Sequence, residues 1–448
     1  MPETQPAITK NNFTRREFLY AASIAAAGFA TGCAVNPVTG KSQLIFVSEE
    51  KEIQMDRQSS PYQLSTDYGR IQDSSLNDYL NRTGKAIAAK THRPNMPYSF
   101  QGVNATYINA YAFPGGTIAA TRGILLSLED EAELAALFGH ELGHVNARHT
   151  AQQMSKSMLT QAVVGGIAVY AGTKNSAYSQ VASSLGMMGA GALLASYSRD
   201  NEREADALAL EYMTKAGYNP DGCKGLMDML RSMSKHKPGT LELMFSTHPM
   251  SDERYRKTVE EIQTKYQADQ NKPVYRERYM DHTAGLRKIK TAIESLQNGE
   301  KLLAGQKYSQ AEESFTRALS IAPDDYAGLL MMAQCQIMMN NHTRAEQFAE
   351  KAGHIFPQEP GSLHLNGLAK MNQKKFSPAF DQFRKYEKML PGNPNTTFYQ
   401  GYCLENMKQT KTAADHYKSY LQAVNQGEKA KHAYQKLVEW GYIKQPAK

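Results

Sequence analysis

The sequence has few features of an integral membrane protein, a nucleic-acid-binding protein or a disulfide-rich domain. Its mean hydropathy of −0.55 over 448 residues excludes a chain with many membrane spans. The 51 Lys and Arg against 44 Asp and Glu give a net charge of only +7, without a clustered basic run, so we expect no nucleic-acid partner. The four cysteines have no Cys-x-x-Cys spacing, which argues against a disulfide framework. This length predicts two or three domains, each with its own core.

The first 33 residues have the pattern of a targeting segment and not of a folded domain. The paired arginines at 15–16 and the apolar stretch 20–30 resemble a twin-arginine export signal. Residues 30–33 resemble a bacterial lipobox, which predicts Cys33 as a lipid-attachment residue. The alternatives are an ordinary cleaved signal and an uncleaved anchor too short to span a bilayer. Because Ala34 follows Cys33, the lipobox predicts a periplasmic protein anchored by lipid to the outer membrane.

The chain up to residue 152 predicts helices with a small β-sheet. Apolar residues at three- and four-residue steps indicate amphipathic helices, and aromatic and β-branched runs beside turn residues indicate strands. With the helical C-terminal third described below, this predicts an α+β fold that is mostly α. The predicted elements are helices at Ser48–Gln58 (capped by Ser48), Asn77–Lys90 and Glu129–Gln152, and strands at Tyr98–Val103, Tyr107–Phe113 and Thr117–Thr121.

Two apolar blocks rich in Gly, Ala and Met follow, at Met158–Gly172 and Val181–Tyr197. Each is shorter than a continuous membrane-spanning stretch. The first interpretation is a buried helical hairpin. The second is a flap that contacts the membrane or a substrate, because Met-rich faces adapt to varied partners.

The C-terminal third contains a 34-residue repeat. Proline recurs at 323, 357 and 391, and alanine at 311, 345, 379 and 413. This is the period of tetratricopeptide repeats, with small residues where two helices cross and proline after the second helix. The sequence therefore predicts an α-solenoid that recruits client or partner proteins. Its predicted parts are a linker helix at 276–291, four repeats at 292–325, 326–359, 360–393 and 394–427, and a capping helix and tail at 428–448.

His140-Glu141-Leu142-Gly143-His144 lies inside the predicted helix Glu129–Gln152. Four residues are about one turn, so His140 and His144 share a face and can bind one Zn²⁺, while Glu141 is placed to act as general base toward a hydrolytic water. A short motif like this also occurs by chance. Gly139 and Gly143 are poor helix formers, and they predict that another element approaches this helix closely.

Zinc catalysis needs a third protein ligand, and Glu202 is the best candidate. On a helix Asp206 shares its face, so it can accept the second N–H of a ligand histidine. Glu204 is expected to point elsewhere, and the alternative for this charged run is a solvated surface. His248 is a candidate oxyanion stabiliser or fourth ligand, with a surface histidine as the alternative. His149 is interpreted as a helix-end residue and not as a ligand.

Four segments together resemble the gluzincin zinc metallopeptidases of the HtpX, Oma and CaaX-protease type. The segments are His140–His144 (HELGH), Ser198–Asp206 (SRDNEREAD), Ser246–Arg254 (STHPMSDER) and Asn109–Gly116 (NAYAFPGG). The resemblance implies a gluzincin metalloprotease domain, predicted at 34–275, with one Zn²⁺ per chain. The repeats and the export signal make the chain similar to periplasmic members of this family that act on outer-membrane proteins.

The resemblance also assigns roles to residues. It implies that Glu202 rather than Glu204 is the third metal ligand, that His248 regulates the zinc from a mobile loop, and that Arg254 closes the same motif. It further implies that a substrate chain lies extended along one strand. The residues of that strand are Asn109, Ala110, Tyr111, Ala112 and Phe113.

The sequence therefore predicts a periplasmic zinc endopeptidase that hydrolyses misfolded or stalled envelope proteins, with Glu141 and His248 as catalytic residues. Its predicted partners are unfolded substrates, the outer-membrane assembly machinery through the repeats, and the membrane through a lipid anchor. The alternative is a periplasmic chaperone or scaffold whose metal site is latent. A purely structural zinc protein is a third possibility, which would leave Glu141 without a task.

Overall fold

The computed structural model of the protein describes residues 33–158, 197–236 and 242–444. The predicted targeting segment before Cys33 and nearly all of the two apolar blocks lie outside the described residues. Among the helices within these ranges, none has the length and apolar character needed to cross a membrane. The fold is mostly helical with two small sheets, which confirms the predicted α+β class.

The larger sheet has three strands, at residues 99–103, 110–112 and 117–121, and the last of these lies in the middle of the sheet. β3 (Ser99–Val103) pairs parallel with β5 (Thr117–Thr121), and β4 (Ala110–Ala112) pairs antiparallel with β5 at one edge. β4 is shorter than the predicted strand Tyr107–Phe113. Before it, the Thr121 hydroxyl donates to the carbonyl of Tyr107 and accepts from the N–H of Asn109. The smaller sheet is a hairpin of β1 (Cys33–Val35) and β2 (Ser42–Leu44).

Helices surround the larger sheet and bury its core, which includes Leu80, Phe100 and Phe138. The helix Glu131–Asn146, here called the motif helix, packs against β4 on one side and against the helix Arg199–Lys215, here called the ligand helix, on the other. The other helices of this part are Glu49–Thr66, Ser74–Ala88, Arg122–Ser127, Asp221–His236, Glu242–Thr247, Asp252–Thr264 and Arg276–Lys288, with a short 3₁₀ helix at Gln267–Asp269. Ser48 caps the first of them, as predicted.

The predicted continuous helix Glu129–Gln152 is wrong at one point. The motif helix ends at Asn146, Arg148 has a positive φ of 60°, and a new helix begins at His149. The buried guanidinium of Arg148 donates to Glu52 at 3.1 Å and to the carbonyl of Val47 at 2.6 Å. These bonds stabilise a left-handed backbone that a non-glycine residue rarely adopts.

Residues 290–439 form stacked helix pairs followed by a final helix. Gly299 lies against Phe315, where an added Cβ would be 2.3 Å from the ring, and Gly367 lies against Phe383 in the same way. This is the small-against-large packing that the repeat predicts. The helices are Lys290–Ala304, Tyr308–Ile321, Tyr326–Met338, His342–Ile355, Gly361–Asn372, Phe376–Met389, Pro394–Asn406, Thr410–Ala423 and Glu428–Glu439.

The array contacts the first part of the chain through the turn after the helix Glu49–Thr66. Tyr68, with φ of 62°, packs against the apolar residues of the first two helix pairs, and its hydroxyl donates to Glu300 at 3.3 Å. Thr106 also donates to Glu300, and Ser65 donates to Glu359. The two parts of the molecule therefore share a polar and partly buried interface.

Candidate metal centre

The motif helix presents two imidazoles from consecutive turns. Asp130 caps its N-terminus by accepting from the backbone N–H of Glu133 at 2.9 Å, and every residue of the helix is buried. The Nε2 atoms of His140 and His144 lie 3.1 Å apart. Two nitrogens this close, both directed at one point, require an electrophile between them, either a proton or a metal ion.

The ligand helix crosses the motif helix at its two glycines, as the sequence predicts. A Cβ on Gly139 would lie 3.0 Å from Ala209 Cα, and a Cβ on Gly143 would lie 2.9 Å from Ala205 Cα. This close approach brings the fully buried Glu202 to the pair of histidines. Its Oε2 lies 3.5 Å from Nε2 of His140, and its Oε1 lies 3.4 Å from Nε2 of His144.

His248 completes the group from the loop after the helix Glu242–Thr247. Its Nδ1 lies 3.3 Å from Nε2 of His140 and 3.2 Å from Oε1 of Glu202. One ligand atom from each of His140, His144, Glu202 and His248 lies within 4.8 Å of the others. The structure therefore brings together the three predicted ligands and the predicted loop histidine.

This donor set fits Zn²⁺. Ligand bonds of about 2.0–2.1 Å in a tetrahedron place the ligand atoms about 3.3 Å from one another, which is close to the separations observed here. Oε2 of Glu202 is buried and, among the described residues, accepts no hydrogen bond of good geometry, although Nη1 of Arg254 lies 2.7 Å away. A buried carboxylate oxygen in this state has capacity for a cation.

Charge coupling within the group shifts its pKa values. Burial alone would raise the pKa of Glu202, but the imidazoles of His248, His140 and His144 outweigh burial and lower it. For His140, burial opposes the charged form, but bonds to Asp206 and Glu202 raise the pKa to about 10. Glu202 is therefore a carboxylate, the form that binds a metal.

Asp206 and Arg254 surround the cluster of His140, His144, Glu202 and His248 and fix the orientation of His140 and Glu202. Asp206 Oδ1 lies 3.0 Å from Nδ1 of His140, the nitrogen that faces away from Glu202. Arg254 donates to both oxygens of Asp206 at 2.7 Å and reaches Glu202 with its third nitrogen. One guanidinium thereby fixes the two carboxylates that the ligand helix provides at positions 202 and 206.

Glu141 lies next to the group and is buried. Its Oε1 is 3.7 Å from Nε2 of His248, and burial raises the pKa of its carboxyl above the ordinary value. A buried carboxylate is a stronger base than an exposed one. The arrangement therefore provides a base beside a cluster of metal-type ligands.

The predicted substrate strand borders the motif helix. Thr121 N–H donates to Asn109 O at 3.0 Å, and Phe113 N–H donates to Thr117 O at 2.8 Å. Because an antiparallel ladder alternates, the N–H and C=O groups of Ala110 and Ala112 are directed away from β5. β4 is thus an edge strand, and the side chains from Asn109 to Phe113, including Tyr111, are buried.

Sequence reasoning missed two residues at this centre. His149 contacts His144 with its Nδ1, 2.9 Å from Nδ1 of His144, and Glu204 Oε2 lies 3.2 Å from Nε2 of His149. Glu204 does not contact the metal ligands directly; its carboxylate contacts another histidine, although the side chain is partly exposed. The sequence does contain a third histidine five residues after His144. Because a continuous helix was expected there, His149 was not predicted to lie near His144.

Parts of the chain match two known protein families. The family model described as "Peptidase family M48" matches residues 74–262, and the model "Tetratricopeptide repeat" matches residues 302–364. Metalloprotease YcaL of Escherichia coli K12 is 31% identical over 189 residues, which are 42% of this chain and 72% of that protein. Mitochondrial metalloendopeptidase OMA1 of Schizosaccharomyces pombe is 27% identical over 251 residues, 55% of this chain and 72% of that protein.

The Beta-barrel assembly-enhancing protease of Yersinia pestis is also similar, with 28% identity over 189 residues. The match covers 41% of this chain and only 38% of that relative's length. The matched range 74–262 contains the motif helix, the ligand helix and the His248 loop. The chain belongs to peptidase family M48 and carries tetratricopeptide repeats.

Proposed function

We propose that this protein is a zinc-dependent endopeptidase of the periplasm that cleaves misfolded or stalled outer-membrane proteins. The observation that carries the proposal is the convergence of His140, His144 and Glu202 at separations of 3.1–3.5 Å, with the buried Glu141 beside them. The family and the names of its members support the reaction class. The name of the Yersinia pestis relative supports the choice of client.

The residues of the site have distinct tasks in peptide hydrolysis. Bound by His140, His144 and Glu202, Zn²⁺ would supply a Lewis acid that polarises the scissile carbonyl and makes water a stronger nucleophile. Glu141 takes a proton from the attacking water and delivers it to the leaving nitrogen as the C–N bond breaks. The N–H and C=O groups of Ala110 and Ala112, which are directed away from β5, would bind an extended client by backbone hydrogen bonds once the packing that buries both residues opens.

His248 has two possible tasks, and its position favours a closed resting state. Its Nδ1 lies as close to His140 and Glu202 as a fourth ligand would, at 3.3 Å and 3.2 Å. A side chain there occupies the space that water and substrate need. The loop of His248 must then move before hydrolysis, after which its imidazole is available to stabilise the oxyanion.

The decisive experiment combines metal analysis with client cleavage. Purified protein should contain one Zn²⁺ per chain and degrade an unfolded β-barrel protein, and a chelator should abolish the degradation. Glu141→Gln should keep the zinc and lose cleavage, because the amide is not a base. Glu133→Gln is the matched control, since Glu133 is a buried carboxyl of the same helix outside the site. A cleaving Glu141→Gln variant, or a metal-free active protein, would contradict the proposal.

A second candidate function is a chaperone or scaffold with a latent metal site, which the closed position of His248 favours. The repeat array would then supply the main activity by holding clients. Complementation by Glu141→Gln in a deletion strain distinguishes the two functions. A scaffold tolerates this substitution, whereas a peptidase does not.

The proposed location rests on Cys33, which begins β1. Cys33→Ser should release the protein from the membrane fraction if the residue carries a lipid. Ala34→Ser is the control, because it preserves the cysteine. Unchanged membrane retention of the Cys33→Ser variant would contradict the lipid anchor.

A further inference from the structure

The two ligand histidines have different partners at Nδ1, the ring nitrogen that does not face the metal site. His140 has Asp206 at its second nitrogen, 3.0 Å away, which is the usual carboxylate arrangement at metal sites. His144 has instead another imidazole as its partner, that of His149, with 2.9 Å between the two Nδ1 atoms. His149 is fully buried, and its Nε2 lies 3.2 Å from Oε2 of Glu204.

If His144 binds the metal through Nε2, only one placement of the protons on His144 and His149 gives every ring nitrogen a partner. His144 then carries its proton on Nδ1 and donates it to Nδ1 of His149. His149, having used that nitrogen as an acceptor, carries its proton on Nε2 and donates it to the carboxylate of Glu204. Every nitrogen of the two rings then has a partner.

We propose that His149 and Glu204 are positioning residues for the metal ligand His144, a role that rests on the proposed zinc site. Glu204 fixes the tautomer of His149, and His149 fixes the tautomer and ring direction of His144, so that its Nε2 lone pair faces the metal. This assigns a task to each acidic residue of the ligand helix around the site: Glu202 binds the metal, Asp206 holds one ligand histidine, and Glu204 holds the other through His149.

The break in the helix is what makes this arrangement possible. In a continuous helix a residue five positions after His144 would lie well over a turn further along the axis. The left-handed Arg148 ends the motif helix and turns His149 back toward His144. The ring of Tyr197 stacks on the face of the His144 imidazole, with 3.8 Å between the ring centroids, and limits rotation of that imidazole.

The test measures zinc affinity of the full-length protein by competition with a chelating dye, beside the melting temperature of the metal-free protein. His149→Phe keeps a ring but removes the acceptor, and it should weaken zinc binding by about 10- to 100-fold. His149→Asn keeps an acceptor oxygen near the Nδ1 position and should recover most of that loss. A purely structural role for His149 predicts instead that both variants lower the melting temperature of the metal-free protein and that Asn gives no selective recovery.

Glu204 provides a second test if His149→Phe does not fold, because its side chain is 28% exposed. Glu204→Gln keeps an acceptor for Nε2–H of His149 and should bind zinc nearly as the wild type does, whereas Glu204→Leu should bind it several-fold more weakly. Wild-type affinity in both His149→Phe and Glu204→Leu would overturn the inference alone. Failure of the wild-type protein to bind zinc would overturn the proposed function itself.

Discussion

The ion pair between Arg122 and Asp325 gives a quantitative test of how the array is joined to the peptidase part. Arg122 directly follows β5, and Asp325 precedes the helix Tyr326–Met338 of the second repeat. Both side chains are buried, 2% and 6% exposed, and the guanidinium donates to both carboxylate oxygens. Asp325 also caps its helix by accepting from the N–H of Gly328 at 2.7 Å.

The expected magnitude follows from this burial. Asp325→Asn keeps an oxygen for the cap but removes the carboxylate paired with the buried guanidinium of Arg122, and it leaves the carboxyl of Glu300 as an acidic neighbour. Breaking a buried pair in this way costs about 3–5 kcal/mol in the free energy of unfolding. Arg122→Met should cost a similar amount in the intact background, because Asp325 is then the unpaired charge. The double variant Arg122→Met/Asp325→Asn should lose far less than the sum of the two, since neither charge of this pair is then left without its partner.

Urea denaturation followed by circular dichroism measures these free energies. The control is Asp381→Asn, which breaks the exposed pair between Asp381 and Arg384, whose side chains are 49% and 68% exposed. Exposed pairs contribute at most about 1 kcal/mol, so this variant should be nearly as stable as the wild type. The reasoning is refuted if Asp325→Asn costs no more than Asp381→Asn, or if the losses of the double variant are additive.

Three further changes have expected outcomes. Gly143→Val places a side chain against Ala205, whose Cα would be 2.9 Å from the new Cβ, so zinc affinity should fall at least tenfold in a dye competition. Gly305→Ala should not change the affinity, because its Cβ would make only ordinary contacts, at 3.5 Å. His248→Ala removes the side chain that closes the site, so client cleavage should rise several-fold in a fluorescence assay. An unchanged rate would argue against the closed resting state, and a lower rate would indicate that oxyanion stabilisation is the main task of His248. Burial raises the pKa of Glu133 from 4.5 to about 7, so its contribution to stability is complete below pH 4.5 and is lost as the pH rises through 7. Glu133→Gln should therefore remove a decrease of up to about 3 kcal/mol in the unfolding free energy between pH 5 and 8, and equal pH slopes in urea titrations would contradict this.

The parts of the fold that depend on neighbouring residues could be predicted from the sequence. The repeats keep their register because each helix pair has the same local contact, such as Gly299 against Phe315. Strand Thr117–Thr121 and the cap at Ser48 likewise depend on local patterns. Patterns of this kind are visible in a single chain because the interacting residues lie within one structural unit.

The break at Arg148 could not be predicted in this way. Its backbone conformation is stabilised by Glu52, which lies 96 residues earlier in the chain. The segment between His144 and His149 has neither glycine nor proline, and only Asn146 weakly favours the end of a helix there. A distant partner therefore overrides local helix propensity, and the position of His149 changes with it.

The metal centre depends both on local sequence patterns and on contacts between residues far apart in the chain. The spacing of His140 and His144, and of Glu202 and Asp206, follows from the helical period, so each pair could be found separately. Their mutual distance depends on how closely two helices approach, and the glycines at 139 and 143 were the sequence signal for that approach. No local sequence pattern predicts the bonds of Arg254 to Asp206 and Glu202, because Arg254 lies on a helix that begins 46 residues after Asp206. The contacts that a residue makes with another element are established only when the packing of the elements is known.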